Sequence, residues 1–291
     1  MSVLLKQEET NIRAKYTRAH IPNAVFFIPF GYYYTVRLGT ISKLLSWALI
    51  YIMPTAFYSA VGYNGSWILF AINYLLVLIA AFSLYEYGYI INDTCSIRRE
   101  EQPAIRLYDY NFAFFARWKS LILATRLFYA IIATSILYLL NADNSHIIMV
   151  VFSLAFMCLC FAIYNYWRNR YNVWFYPILV CSRFLPFMLI YDFHWPPCLL
   201  LFLSFPLLNA LERFSMPRYR WPWMRKLIPD EQSKTLFRVL YYTIVLAVLI
   251  SALFISGLSL ILLTPIFLLF LYRLILLFWL RKHHPKNYLN G

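Results

Sequence analysis

The stretch YEYGYIINDTCSIRREEQPAIR at residues 85–106 begins as the end of a long apolar run and finishes as a charged segment. Within it, Glu86, Asp93 and Glu100 are spaced seven residues apart. A seven-residue step drifts by only about 20° around a helix, so the spacing predicts that all three carboxylates lie on one face. Charge at the end of a membrane span is costly without a partner, and the pattern therefore indicates a functional site.

Magnesium is the partner that this row of acids favours. Mg²⁺ takes oxygen ligands, usually keeps several waters and bridges to substrate phosphates. We expect Asp93, Glu100 and Glu86 to hold Mg²⁺ on a diphosphate leaving group, with the adjacent Asn92 orienting the ion. The alternative is a solvated helix end whose acids pair with the two arginines that follow, although those arginines lie off the carboxylate face.

The composition is that of a membrane protein. Of the 291 residues, 62% are hydrophobic and only 13% are charged, which predicts an all-α, polytopic helical bundle. We expect an N-terminal cytosolic or interfacial segment at 1–40 and one integral-membrane domain at 41–291. The net charge of +14 comes mostly from basic residues that flank apolar runs. Anionic membrane lipids, rather than nucleic acid, are therefore the expected partner.

Eight apolar runs are long enough to span a bilayer, which takes about 20 residues each. They cover residues 41–61, 66–91, 115–140, 145–166, 171–192, 195–213, 236–256 and 258–280. Residues 21–38 are a candidate ninth span, but their two prolines and cluster of tyrosines favour an interfacial helix. Lys and Arg concentrate in alternate loops, which predicts that both termini and the three basic loops are cytosolic.

Other polar residues are expected at the same cytosolic side. Arg168 and Arg170 follow the fourth run, and Asn209 and Glu212 close the sixth. Because helical bundles build sites from side chains on facing helices, we expect these residues to bind substrate. Glu212 is either a second metal ligand or an end-of-helix acid paired with Arg213.

Two arginines lie deep in apolar runs, Arg126 in the third and Arg183 in the fifth. An arginine inside a membrane span indicates a functional role by default. Each is expected either to form a structural bridge to Glu86 or to contact a substrate phosphate. Arg273 lies nearer the cytosolic end of the last run, where snorkelling to the interface would explain it.

The pattern N-D-x-x-S-x-x-x-E at residues 92–100 resembles the first aspartate-rich motif, N-D-x-x-D-x-x-x-D, of the UbiA superfamily of intramembrane prenyltransferases. That family motif also follows the second span. Tyr164-x-x-x-Arg168 is similar to the family's tyrosine and basic residue after the fourth span, and Asn209 with Glu212 takes the place of its second acidic motif. The serine and the glutamate depart from the family pattern, which puts the number of metal ions in doubt.

The signature YE-x-GY-x-x-ND, with E-x-x-P-x-x-R ending at Arg106, is similar to one branch of that superfamily. That branch transfers phosphoribose from 5-phosphoribosyl diphosphate to a polyprenyl phosphate in bacterial cell-surface glycan synthesis. The resemblance implies a UbiA-like, multi-pass enzyme of the bacterial inner membrane with a cytosolic active site. Arg168 and Arg170 would clamp the diphosphate, while Arg106, Arg126 and Arg183 would bind donor or acceptor phosphates.

Two other functions are open on the sequence. A prenyltransferase would move the prenyl group of a prenyl diphosphate to an aromatic or other small acceptor, using the same fold and Mg²⁺. A non-enzymatic lipid-phosphate transporter would line its path with the buried acid and arginines. The absence of a sequence repeat and the clustering of acids at one membrane face favour an enzyme.

Overall fold

The computed structural model of the chain describes residues 21–99, 105–141, 144–167, 171–191, 193–216, 219, 221–229, 231–256 and 259–283. These residues form helices and connecting turns, and none of them lies in a β-strand. We number the main helices α1 (Ile41–Ser59), α2 (Trp67–Thr94), α3 (Asp109–Leu140), α4 (Asn144–Tyr166), α5 (Asn172–Ser182), α6 (Trp195–Ser204), α7 (Pro206–Phe214), α8 (Glu231–Ser256) and α9 (Thr264–His283). Shorter helices lie at Leu185–Met188 and Pro222–Leu227.

Seven helices in the described part of the chain are long and apolar enough to cross a membrane. They are α1, α2, α3, α4, the consecutive pair α6 and α7, α8, and the helix Leu260–His283 that contains α9. This agrees with the predicted all-α, multi-pass membrane protein.

The predicted span at 171–192 is not among the seven helices. Helix α5 ends at Ser182, and only the four-residue helix Leu185–Met188 follows it. Pro186 explains the break, because its ring would clash with the carbonyl of Ser182, four residues earlier, and it has no N–H to donate. The apolar run is long enough to span, but the helix within it is not.

A second proline interrupts the span formed by α6 and α7, which separate at Pro206. The break leaves the last carbonyls of α6 without partners inside the helix. Two hydroxyls of α8 donate to them, Tyr241 to the carbonyl of Leu203 at 2.7 Å and Tyr242 to that of Ser204 at 2.6 Å. The interrupted span is thus stabilised by a neighbouring helix.

The chain divides into two compact units, residues 1–44 with 75–168 and residues 45–74 with 169–291. The first unit contains most of α2 together with α3 and α4. The second contains most of α1 and the helices from α5 onward. Each unit has a polar cluster of its own.

In the first unit, the N-terminal segment Ile21–Leu38 packs against α2 and α3. It is a series of short turns rather than one helix, with Phe30 in the left-handed region at φ 68° and Gly39 closing the last turn at φ 65°. The packing forms a buried core of Ile21, Phe26, Tyr32, Ile90, Leu107, Phe115 and Ile122. The segment is therefore held as part of the bundle, and it is not among the seven apolar helices.

Candidate functional site

Asp93 is the centre of the polar cluster in the first unit. Its carboxylate lies near the C-terminal end of α2 and is fully buried. Nη2 of Arg37 is 2.7 Å from Oδ1 and 2.6 Å from Oδ2. Oδ2 also accepts from the hydroxyl of Tyr32 at 3.0 Å, while Oδ1 accepts from Nη1 of Arg106 at 3.2 Å and from Nδ2 of Asn92 at 3.0 Å. One buried carboxylate thus holds two guanidinium groups.

Both of these arginines remain partly accessible. Their side chains are 18% exposed for Arg37 and 28% exposed for Arg106, whereas Asp93 is 0% exposed. The guanidinium of Arg37 also lies 4.6 Å from the centroid of the Tyr89 ring. Of the charged side chains described at this site, two are cations and one is an anion. Guanidinium groups are strong, directional ligands of phosphate, so the site is suited to an incoming anion.

Two residues of the N-terminal segment keep their protons at this site, because the pKa of Tyr32 and that of Arg37 both lie above their usual values. Burial raises the pKa of the Tyr32 hydroxyl well above its usual value, and the adjacent Asp93 carboxylate raises it further. Burial by itself lowers the pKa of Arg37, but Asp93 and the surrounding tyrosines more than offset that effect, so the pKa lies above its usual value. Tyr32 therefore remains a hydrogen-bond donor and Arg37 remains charged.

Glu86, seven residues before Asp93 on α2, forms a closed pair with Arg126 of α3. Both side chains are fully buried and they share a salt bridge. The carboxylate also accepts from the backbone N–H groups of Phe30 at 2.6 Å and Tyr33 at 2.7 Å. Nε and Nη2 of Arg126 donate to two backbone carbonyls of the same N-terminal segment at 3.0 and 3.2 Å. The predicted bridge between Arg126 and Glu86 is therefore present.

Glu86 and Asp93 both contact the segment Ile21–Leu38, as expected from carboxylates that share one face of α2. As they lie, these two carboxylates do not fit a Mg²⁺ ion, because every oxygen accepts a hydrogen bond from a cation, a backbone amide or a hydroxyl. Within the described residues, no group of three His, Cys, Asp or Glu side chains is placed to hold a metal. Glu100 lies outside those residues, so Mg²⁺ binding stays a prediction.

The other predicted residues of this region are placed only in part. Arg168 and Arg170 lie outside the described residues, as does Glu100. Asn92 donates to Asp93, but its own Oδ1 is buried without a hydrogen-bond partner in the described part of the chain. A buried acceptor without a partner is uncommon and indicates either a strained site or a missing ligand group.

A cavity of about 540 Å³ opens among α2, α3 and α4 of the first unit. Its walls are mainly apolar and aromatic, and the polar groups on them include Ser96 and Asn165. The amide of Asn165 donates to the carbonyl of Gly88 at 3.0 Å, and Gly88 itself lies against the ring of Phe161. Ser96 follows Asp93 by three residues, so the cavity reaches the end of α2 that carries the arginine site.

Glu212 in the second unit pairs with Arg238 of α8, with Nε–Oε1 at 2.5 Å and Nη2–Oε2 at 2.8 Å. Nζ of Lys234 lies 4.0 Å from the same carboxylate. The predicted partner Arg213 stacks on the ring of Tyr176, 4.6 Å from its centroid. Consecutive residues on a helix point in different directions, which explains why the neighbour in sequence is not the ion-pair partner found here.

Two further predicted residues of the second unit are engaged with aromatic rings. Nδ2 of Asn209 donates to the hydroxyl of Tyr176 at 3.0 Å. The guanidinium of Arg183 lies 5.1 Å from the ring of Tyr51 and 4.9 Å from that of Phe184. Cation–π contacts of this kind stabilise a charge among apolar residues.

Four residues that contribute to these clusters were not predicted, namely Tyr32, Arg37, Lys234 and Arg238. One signal for Arg37 was available, since it is the only charged residue between positions 21 and 42. Arg238 lies among apolar residues early in the seventh run, where an arginine also requires a partner. The tyrosine carries no comparable signal, because the chain contains 25 tyrosines.

No protein-family model, curated protein or solved structure matches this chain.

Proposed function

We propose that this protein is an integral-membrane transferase that attaches the phosphoribosyl group of 5-phosphoribosyl diphosphate to a polyprenyl phosphate. The observation that carries the proposal is the Asp93 site, where two partly exposed arginines share one buried carboxylate. Such a site presents partly exposed guanidinium groups to a phosphorylated substrate, and its aspartate fixes the position of both cations. Asp93 is then a positioning residue, and Arg37 and Arg106 are the groups that contact substrate.

The adjacent cavity supports a lipid as one of the two substrates. Its apolar and aromatic walls suit an isoprenoid chain, and its volume of about 540 Å³ is in the range of small-molecule sites. A polyprenyl chain would enter from the membrane between α2, α3 and α4. Its phosphate would lie toward the C-terminal end of α2, which Ser96 follows by two residues.

The reaction would proceed by displacement at C1 of the ribose. An oxygen of the lipid phosphate forms a bond to C1 while the bond from C1 to the diphosphate oxygen breaks, and the diphosphate leaves with the electron pair. The phosphate nucleophile is already anionic, so no strong general base is needed. Arg37 and Arg106 would contribute by orienting the anions and by stabilising charge on the leaving group.

The resemblance to the UbiA superfamily, and specifically to its polyprenyl-phosphate phosphoribosyltransferase branch, supports this choice of donor and acceptor. It also supports a bacterial inner-membrane enzyme with both termini and the active site facing the cytosol. The excess of Lys and Arg in alternate loops favours the same orientation. Mg²⁺ belongs to the proposal only as a prediction that involves Glu100, and no step above depends on it.

The test is a transfer assay with purified protein in lipid nanodiscs. We expect radiolabel from 5-phosphoribosyl diphosphate to appear in lipid extracts only when polyprenyl phosphate is present. Arg37→Gln should lower the transfer rate strongly, while Arg117→Gln, an exposed arginine on α3, should leave it unchanged. Repeating the assay with Mg²⁺ and with a chelator tests the metal separately.

The same preparation separates the alternatives. Turnover restricted to a prenyl diphosphate with an aromatic acceptor would replace the phosphoribosyl proposal by prenyl transfer in the same fold. Movement of polyprenyl phosphate between the leaflets of sealed vesicles, with no product in any transfer assay, would identify a transporter. The arginine site would then serve a lipid phosphate in transit.

A further inference from the structure

Arg273 in the second unit is a buried cation that lacks a hydrogen-bond partner at Nε. It lies on α9, inside the membrane-spanning helix Leu260–His283, and its residue is 5% exposed. The described part of the chain provides no acceptor for Nε, and the guanidinium lies 4.9 Å from the ring of its neighbour Tyr272. Snorkelling, expected from the sequence, does not describe a side chain that is buried to this degree.

The surroundings of Arg273 add further positive charge. Arg238, Glu212 and Tyr242 are close enough to interact electrostatically with it. The carboxylate of Glu212 is already bound at both oxygens by Arg238, and Lys234 lies at 4.0 Å from it. Glu212 therefore pairs with Arg238 and lies near Lys234, both on α8, and Arg273 of the adjacent α9 is within electrostatic range of Arg238 and Glu212.

We propose that Arg273, Arg238 and Lys234 form a phosphate-binding site in the second unit. The ligand is a phosphomonoester or diphosphate anion, either free or as the headgroup of a lipid. A phosphate oxygen would accept from Arg273 Nε, and the other two cations would share the remaining charge. This site is separate from Arg37 and Arg106, and the inference does not rest on the transfer reaction.

The chemistry favours an anion over any neutral ligand. A guanidinium inside a membrane span is expensive unless it is paired, and the nearest carboxylate is committed to another arginine. Phosphate offers several acceptor oxygens at once, which suits the planar donor arrangement of an arginine. No group of the described residues other than Glu212 supplies negative charge to this cluster.

The cluster is also accessible from one side. The side chains of Lys234 and Arg238 are 20% and 22% exposed, whereas that of Glu212 is 9% exposed. Lys234 and Arg238 are therefore partly accessible to an anion, whereas Arg273 is 5% exposed. The hydroxyl of Tyr242 donates to the backbone at Ser204, so this part of α8 is fixed to the end of α6.

Thermal unfolding of the purified protein, monitored by intrinsic tryptophan fluorescence, tests the inference. One arm adds inorganic phosphate or diphosphate to protein in detergent. The other compares phosphatidylcholine nanodiscs with nanodiscs that also contain phosphatidic acid, a phosphomonoester lipid. Variants Arg273→Gln and Arg281→Gln are matched, because both lie on α9 and Arg281 is exposed. Arg37→Gln is the corresponding variant at the Asp93 site of the first unit.

We expect phosphate, diphosphate or phosphatidic acid to raise the unfolding temperature of the wild type and of Arg281→Gln. Arg273→Gln should bind the same probe about ten- to a hundredfold more weakly, as expected from loss of a charge-assisted hydrogen bond. Without any probe, Arg273→Gln should unfold no lower than the wild type, because it removes a buried charge with an unsatisfied donor. A shift with the soluble anions identifies a free ligand, and a shift with phosphatidic acid alone identifies a lipid headgroup.

Three results would overturn the inference. One is the absence of any shift in the wild type with all of the probes. Another is a shift that survives in Arg273→Gln but disappears in Arg37→Gln, since the anion would then bind at Asp93. The third is a large loss of stability in Arg273→Gln without a probe, which would make Arg273 a structural residue.

Discussion

Two carboxylate sites lie two helical turns apart on α2, and they differ in what their arginines can still do. At Glu86 the carboxylate and Arg126 are both 0% exposed, and each nitrogen of the guanidinium donates either to Glu86 or to a backbone carbonyl. At Asp93 the carboxylate is equally buried, but its two arginines are 18% and 28% exposed. The pairing of an acid with arginine is thus fully buried at Glu86, which we call the closed pair, and has partly exposed arginines at Asp93, which we call the open site.

A buried acid in a membrane span is therefore not by itself evidence of catalysis. Glu86 is fully used in holding Ile21–Leu38 against the bundle, and it leaves nothing for a ligand. Asp93 also contacts that segment, but it presents cations toward accessible space. The first site thus contributes to stability, whereas under the proposed function the second contacts substrate.

Breaking the closed pair should have the largest effect. Arg126→Met leaves the Glu86 carboxylate buried without its cation, and removal of one partner of a buried pair costs about 3–5 kcal/mol. We expect a correspondingly lower free energy of unfolding in detergent titrations, with Arg117→Met on the same helix close to the wild type. A loss no greater than that of the Arg117 variant would show that the pair does not hold the segment.

Removing a cation from the open site should reduce activity more than stability. Arg37→Gln and Arg106→Gln each delete a charged donor, and a charge-assisted hydrogen bond is worth about 1.5–3 kcal/mol. We expect kcat/KM for phosphoribosyl transfer to fall by about ten- to a hundredfold in each. Unchanged kcat/KM in both variants, with folding intact, would remove these arginines from the substrate site.

A substitution at Gly88 tests the role of the cavity rather than the role of either carboxylate. A Cβ built at Gly88 would lie 2.4 Å from the ring of Phe161, so Gly88→Ala must displace that ring. Overpacking of this kind costs about 1–3 kcal/mol. We expect a lower unfolding temperature and weaker binding of polyprenyl phosphate, and the double variant with Phe161→Leu should recover stability. Equal loss in the single and double variants would locate the strain elsewhere.

Tyr32→Phe should have the smallest effect and should depend on pH. It removes one donor to Asp93, which is worth about 1 kcal/mol. Burial raises the pKa of Tyr32 in the folded state, so its contribution is complete below the unfolded value of about 10 and is lost as pH rises above it. Unfolding midpoints between pH 8 and 11 should therefore fall less steeply in Tyr32→Phe than in the wild type.

The control for this pH effect is Tyr34→Phe, which removes a hydroxyl from a neighbouring exposed ring. We expect its profile to follow that of the wild type. If both variants flatten the profile equally, the alkaline loss of stability does not come from the hydroxyl at Asp93.

Much of this arrangement follows from the sequence, because it depends on the spacing of residues along a helix and on their charge. The seven-residue spacing predicts that Glu86 and Asp93 face the same neighbours. The intramembrane position of Arg126 predicts either a bridge to Glu86, which is present, or a contact to a substrate phosphate. Both predictions use the cost of burying an unpaired charge, which is the same in any fold. The apolar runs likewise predict a multi-pass bundle, since run length is set by bilayer thickness.

The remainder depends on contacts between distant parts of the chain. Asp93 is held by Arg37, which precedes it by 56 residues, and no local pattern connects the two. Glu212 pairs with Arg238, 26 residues later, rather than with an immediate neighbour. The break in the fifth run has a local reason, because hydropathy alone does not weigh the effect of Pro186 on the preceding turn.

The placement of Ile21–Leu38 has a consequence for the order of biosynthesis. Glu86, which binds Phe30 and Tyr33, is encoded more than 50 residues later, and Arg126 follows Phe26 by 100 residues. At a translation rate of about 5–20 residues per second, the segment waits about 5–20 s for its last partner. During that interval a left-handed turn and a row of aromatic rings have no bundle to pack against, so the nascent chain depends on the insertion machinery or the lipid surface to shelter them.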